Sequence, residues 1–195
     1  MDAHSRKDLW LQRWLPLLAQ RAAGAPILEL GCGGGQDSAM LAEAGHEVVG
    51  VDLSERAIAG AKARVPSARF HCQNILEPFP VAPRAAGAVV ASLSLHYFSW
   101  PDTLTLASRI RDTLHPGGVL LCRLNSTNDH NYGASGHPEI ETRYYRVDGE
   151  PKRFFDRNDV ERVFATGWRV IGLEEVVIHR YEHPKSAWEA VLEPG

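Results

Sequence analysis

A chain of 195 residues with 44% hydrophobic and 23% charged side chains and a formal net charge of −3 has enough apolar content for one well-packed domain. That charge gives no general attraction to nucleic acid or to an anionic membrane, and no stretch approaches the roughly 20 apolar residues of a membrane span. Cys32, Cys72 and Cys122 lie far apart without a C-x-x-C pair, which suits a reducing cytoplasm better than a disulfide framework.

The first residues, Met1 to Asp8, lack the apolar core of a signal peptide, so a cytoplasmic location is expected, with neither nucleic acid nor membrane as partner. Ser5 to Ala22 reads as an amphipathic helix with Leu9, Trp10, Trp14, Leu17 and Leu18 on one face; Pro16 should kink or divide it. The Trp10 and Trp14 pair either packs on the core or covers a bound ligand. Strand 27–30 runs into Gly31-Cys32-Gly33-Gly34-Gly35, and a helix from about Gln36 to Ala44 ends at Gly45. A glycine loop between strand and helix lets backbone approach a ligand closely. The second strand, 47–51, ends at Asp52, where a carboxylate can accept two hydrogen bonds from a ribose diol.

Ser54 is a good N-cap for a helix to Arg64, with Pro66 beyond it. Short strand 69–72 follows, then a buried-looking run at 87–92. A helix from Asp102 to Leu114 and the turn His115-Pro116-Gly117-Gly118 lead to strand 119–124. Cys72 and Cys122 fall in these strands and read as small core residues. Residues 125–151 are polar and turn-rich but carry Tyr132, Tyr144 and Tyr145, the mark of a loop insertion over a site. Helix 156–166 and two strands, 168–179 and 186–192, complete the chain. The alternation gives an α/β, doubly wound and mostly parallel seven-stranded sheet with a C-terminal antiparallel hairpin, a single domain over 1–195.

The dinucleotide fingerprint G-x-G-x-x-G/A does not fit: counted from Gly31 its third position is Gln36, and from Gly33 it is Ser38. The pattern present is E-x-G-x-G-x-G, made by Glu29, Gly31, Gly33 and Gly35. With Val-Asp-Leu-Ser at 51–54 and Leu-His-Pro-Gly-Gly at 114–118, it resembles the class I S-adenosylmethionine (SAM)-dependent methyltransferases. The small bacterial tellurite-resistance and thiopurine-type enzymes look closest. The resemblance implies a Rossmann-like fold, SAM as cofactor and S-adenosylhomocysteine as product. It further implies cofactor contacts from Glu29, Gly31, Cys32, Gly33, Gly35, Asp52, Leu53, Asn74, Ile75 and Ser92. Among these, Asp52 would bind ribose, Leu53 would cover an adenine face, and Asn74 with the Ile75 N–H would read the adenine edge. Two departures stand out: Asn74 occupies the place of an adenine-binding Asp, and Ala86-Gly87 replaces a Phe-Asp pair.

Methyl transfer from a sulfonium is an in-line displacement, so positioning and exclusion of water are the main requirements. A general base is needed only for an acceptor that arrives protonated. His96, past the end of the fourth strand, is the candidate base and, with Tyr97, a candidate lining of the acceptor pocket. Trp10, Trp14, Asn125, Arg143, Tyr144 and Tyr145 are further candidates to close it. His179 and His183 are four apart but lie on a strand and turn and lack the glutamate of H-E-x-x-H, and His130 and His137 lie in the loop; no metal is expected. The acceptor expected first is a chalcogen nucleophile or small metabolite. The alternatives are the O or N centre of a larger metabolite, or a SAM-binding protein without chemistry. A monomer or homodimer is expected.

Overall fold

Four consecutive buried residues at Ile27–Leu30 (β1) mark a strand covered on both faces, the pattern of a parallel sheet interior. The computed structural model describes residues 8–195 and places β1 between two parallel neighbours, Val48–Asp52 (β2) and Ala86–Ser92 (β4). Arg69–Cys72 (β3) lies outside β2; Leu114–Asn125 (β5) lies beside β4. The seven-stranded sheet is completed by two antiparallel strands, Trp168–Ile178 (β9) and Lys185–Pro194 (β10), in the order β3-β2-β1-β4-β5-β10-β9. The expected sheet and its terminal hairpin are therefore present.

Helices Leu15–Ala22 (α1), Gln36–Glu43 (α2), Glu55–Arg64 (α3), Trp100–Thr113 (α4) and Arg157–Val163 (α5) accompany the strands. Ser54 caps α3 by accepting from Ala57 N at 3.2 Å. The winding reverses between β1 and β4, and open α/β sheets bind ligands outside the strand ends at such a switch point. Alternate residues of β4 feed the two cores. Val89 and Ala91 face Leu106, Ile110, Val160 and Phe155; Ala88 and Val90 face Trp10, Leu11, Leu18 and Leu41.

Pro16 does divide the N-terminal helix. A 3-10 turn, Trp10–Trp14, precedes α1, whose first turn holds Pro16 where no amide donor is lost. The expected Ser5–Lys7 portion lies outside the described residues. The end of α1 sits directly on β4: a Cβ added to Gly87 would lie 2.4 Å from the Ala22 Cα and 2.7 Å from its carbonyl oxygen. That contact explains why no acid stands at this strand's start. Cys122 is buried as expected, but Cys72, on the edge strand β3, is exposed; an edge strand leaves one face open.

The second half of the expected loop 125–151 is instead a three-stranded antiparallel sheet: Glu139–Glu141 (β6), Tyr144–Val147 (β7) and Glu150–Arg153 (β8). The turn between β7 and β8 is Asp148-Gly149, with φ of 52° and 87°. Both residues have the positive φ that a two-residue hairpin requires. That Asp-Gly pair was the available sequence signal for the hairpin.

Candidate active site

The loop after β1 is held to the tip of β2 by backbone. Gly31 N and Cys32 N both donate to the Val51 carbonyl, at 2.8 and 3.0 Å. Gly33 N donates to Asp52 Oδ2 and Ser54 N to Asp52 Oδ1, each at 2.9 Å. Each Asp52 oxygen therefore keeps a lone pair for a ligand. Gly31 has a φ of 73°, and a Cβ there would lie 2.4 Å from the Ser94 Cβ. Ser94 is fixed in turn by donating to the Leu30 carbonyl at 2.6 Å.

Two cavities meet at Gly31. The first, of about 390 Å³, is bounded by Asp52, Leu53, Gln73, Asn74 and Ile75 on one wall and by Ser94, Tyr97, Phe98, Glu150 and Pro151 on the other. Leu53 is 71% exposed, an apolar surface offered to the cavity. Asn74 Oδ1 accepts from Leu76 N at 2.9 Å, which leaves it one lone pair. The second cavity, of about 300 Å³, lies over the glycine loop and is bordered by Glu29, Cys32, Asp37, Ser92 and Arg180.

Two acids, Glu29 and Asp37, and two arginines, Arg64 and Arg180, line this second cavity. Glu29 is buried and accepts from the Ser38 hydroxyl, which ties β1 to the start of α2. Burial pushes its carboxyl up to about 8, Asp37 adds to the rise, and the Ser38 hydroxyl opposes it. Burial also raises Asp37, opposed by the indole N–H of Trp10, which donates to its Oδ2 at 2.9 Å. Behind Ser92 stands Arg123, fully buried. It donates to Ser92 Oγ at 3.0 and 2.9 Å and to Asp8 at 2.6 Å, and lies 4.4 Å over the Trp10 ring. Its charge is already satisfied.

His96 is buried, and its Nδ1 has no hydrogen-bond partner among the described residues. Burial holds its pKa well below the usual value, reinforced by Lys185 and Lys152, so the imidazole is neutral. It borders neither cavity; its neighbour Tyr97, with ring centroids 4.3 Å apart, borders the first. Burial pushes the Tyr97 phenol up, with Tyr181, Glu150 and Asp52 adding to the rise.

Of the other candidates for closing the site, none borders these cavities. Trp10 is core and braces Asp37; Trp14 donates to Glu189 at 2.7 Å. Their apolar face is consumed by the sheet. Asn125 is buried and donates weakly to Arg153 O at 3.4 Å. Arg143 pairs with Asp156 at 2.7 Å and with Asp159, locking the inserted sheet to α5. Tyr144 donates to the Tyr97 carbonyl at 2.8 Å, and Tyr145 packs near Phe154 at 6.1 Å. These four position the lid from behind. The lid's own contacts, Glu150 and Pro151, were not anticipated, nor were Gln73, Ser94, Phe98 and Arg180. The hairpin signal at Asp148-Gly149 pointed to Glu150 and Pro151; only the tertiary fold points to Arg180.

Residues 27–118 match the family model described as a methyltransferase domain. An uncharacterized methyltransferase of Synechocystis is 35% identical over 96 residues, covering 49% of this chain and 45% of that protein. The trans-aconitate 2-methyltransferase of Variovorax paradoxus is 35% identical over 102 residues, 51% of this chain and 38% of that one. The chain thus spans less than half the length of these curated relatives. A SAM-dependent methyltransferase from Methanosarcina mazei superposes with a TM-score of 0.78 at 17% identity, covering 92% of this chain and 97% of that one, which shows a shared fold. Residues 27–118, which carry the glycine loop, Asp52 and the switch point, thus match a methyltransferase-domain model, and the chain shares the fold of a solved SAM-dependent methyltransferase.

Proposed function

We propose that the protein transfers a methyl group from SAM to a small-molecule acceptor. The observation that carries this reading is the pair of cavities meeting at Gly31, one beside the Asp52 carboxylate and one beside Glu29. A nucleoside fits the first: a ribose diol meets the two remaining lone pairs of Asp52, and a flat ring meets Leu53 and the Asn74–Ile75 backbone. An amino-acid end fits the second. When bound, SAM supplies a sulfonium-activated methyl group whose leaving group departs neutral. The chain's part is to position and to exclude water. Gly31, Gly33 and Gly35 admit the ligand against backbone, Cys32 and Ser92 border its amino-acid end, and Phe98 and Pro151 shield the first cavity.

The acceptor arrives as an anion or a soft nucleophile, such as a thiolate, selenide, telluride or carboxylate. A neutral imidazole whose conjugate acid is destabilised by burial and by two lysines is a poor base for a hydroxyl of high pKa. An acceptor already deprotonated needs none. Methylation at the oxygen or nitrogen of a larger metabolite is the competing reading and would require His96 as base. A chalcogen acceptor would align the chain with the tellurite-resistance and thiopurine-type enzymes. We place the protein in the cytoplasm, as a monomer or homodimer; no helix among the described residues is long and apolar enough to cross a membrane.

Thermal unfolding with and without S-adenosylhomocysteine, with NAD as control, tests the cofactor. Ligand at about 100 times its dissociation constant adds roughly 2.7 kcal/mol, a rise of about 5–11 °C at this size. A shift with S-adenosylhomocysteine alone supports the reading; none at saturation refutes it. Turnover of SAM with a thiol and a carboxylate series then separates an enzyme from a SAM-binding protein without chemistry.

A further inference from the structure

The cavity over the glycine loop carries two acids, Glu29 and Asp37, yet an α-amino acid end carries a carboxylate as well as an ammonium. Glu29 and Asp37 suit the ammonium. The carboxylate needs a cation with unused donors, and three arginines are near. Arg123 is consumed by Asp8 and Ser92. Arg64, on the rim, donates only its Nε among the described residues, to the Gly34 carbonyl at 2.8 Å, but the residue is exposed, where water screens its charge.

Arg180 differs from both. It stands two residues beyond β9, in the turn to β10, and borders the cavity together with Glu29, Gly31 and Asp37. Its guanidinium donates to the Tyr181 hydroxyl at 2.7 Å and lies 4.8 Å over that ring. Its nearest carboxylate, Asp8, is 3.7 Å away, beyond hydrogen-bond length. Most of its donors have no partner among the described residues. The side chain is 27% exposed, open enough to receive a ligand and shielded enough for the charge to count. A planar fork of this kind pairs with a carboxylate through two parallel hydrogen bonds.

We infer that Arg180 binds the α-carboxylate of the cofactor's amino-acid end, so that the β9–β10 turn closes over the glycine loop. This rests on SAM being the cofactor. It assigns cofactor selection to a residue outside the matched 27–118 domain. The same turn carries Tyr181, whose ring lies 5.7 Å from Tyr132.

Calorimetric titration of the full chain tests this with S-adenosylhomocysteine, its decarboxylated analogue and 5′-methylthioadenosine. The wild type should bind S-adenosylhomocysteine about 10- to 100-fold more tightly than the decarboxylated analogue, the range of a charged hydrogen bond. Arg180→Gln should lose that preference and leave the other two ligands within about twofold. Arg180→Lys should recover part of it, as a point charge without the fork. Equal wild-type affinity for the first two ligands overturns the inference without any variant. So does an Arg180→Gln protein that keeps the preference, or one that weakens all three ligands alike, which would mark a structural role. A wild type that binds none of the three overturns the SAM reading and this inference with it.

Discussion

The two walls of the cleft are held by different means. The wall made by β1, β2 and the glycine loop is fixed by local bonds, from Gly31 and Cys32 to the Val51 carbonyl and from the Gly33 and Ser54 amides to the Asp52 carboxylate. The facing wall, residues 94–98 with 150–151, is fixed by side chains reaching across from distant elements. Tyr144 holds the Tyr97 carbonyl, and Arg153 holds the Phe98 carbonyl at 3.2 Å. The first arrangement leaves no room for a Cβ at Gly31 and depends on the Asp52 carboxylate. The second can be retuned one residue at a time.

The largest effect that would break this contrast is expected at Gly31. Gly31→Ala combines a positive φ with a 2.4 Å approach to Ser94. It should abolish the unfolding-midpoint shift caused by S-adenosylhomocysteine and destabilise the free protein by about 2–4 kcal/mol. A normal ligand shift in that variant would show that the backbone wall is not what shapes the site.

Glu29 ranks next. Its carboxyl is raised from 4.5 to about 8 in the folded chain, so the folded state holds a proton that the unfolded state releases. That contribution to stability is full below pH 4.5 and is lost as pH rises toward 8. The free protein's unfolding midpoint should fall between pH 5 and 8, and Glu29→Gln should flatten the fall. An unchanged slope would remove Glu29 as the buried acid of this wall.

On the facing wall the effects should be smaller and confined to the acceptor. Tyr144→Phe removes one hydrogen bond, worth about 1 kcal/mol. It should raise the acceptor KM by about fivefold while leaving the affinity for S-adenosylhomocysteine unchanged. Equal damage to both would mean that the two walls are not independent. The smallest kinetic effect is expected for His96→Ala with an anionic acceptor, a change in rate of less than about threefold. A large loss confined to protonated acceptors would restore His96 as a base.

The wall we propose for the cofactor was legible as a structural feature because its requirements are local. Glu29, the glycine spacing and Asp52 all lie at element junctions, where a turn, a cap or a strand end restricts which residue can stand. The acceptor wall was not legible in that way. Arg143, Tyr144 and Tyr145 looked like pocket residues because they are large and polar in a turn-rich segment; in the fold they brace the lid from behind. Trp10 and Trp14 share an apolar face, but periodicity cannot say whether such a face meets a ligand or the sheet.

By itself the sequence determined the strand–helix alternation, the hairpin end, the backbone cradle and Asp52, because period, capping and glycine geometry act over a few residues. Only the tertiary structure decided which side chains face the cleft. Arg180 comes within reach of Gly31, some 150 positions away in the chain, because β10 and β9 pair on the far side of β5 and turn back over the switch point. That register is set by packing across the whole sheet, which no local pattern encodes.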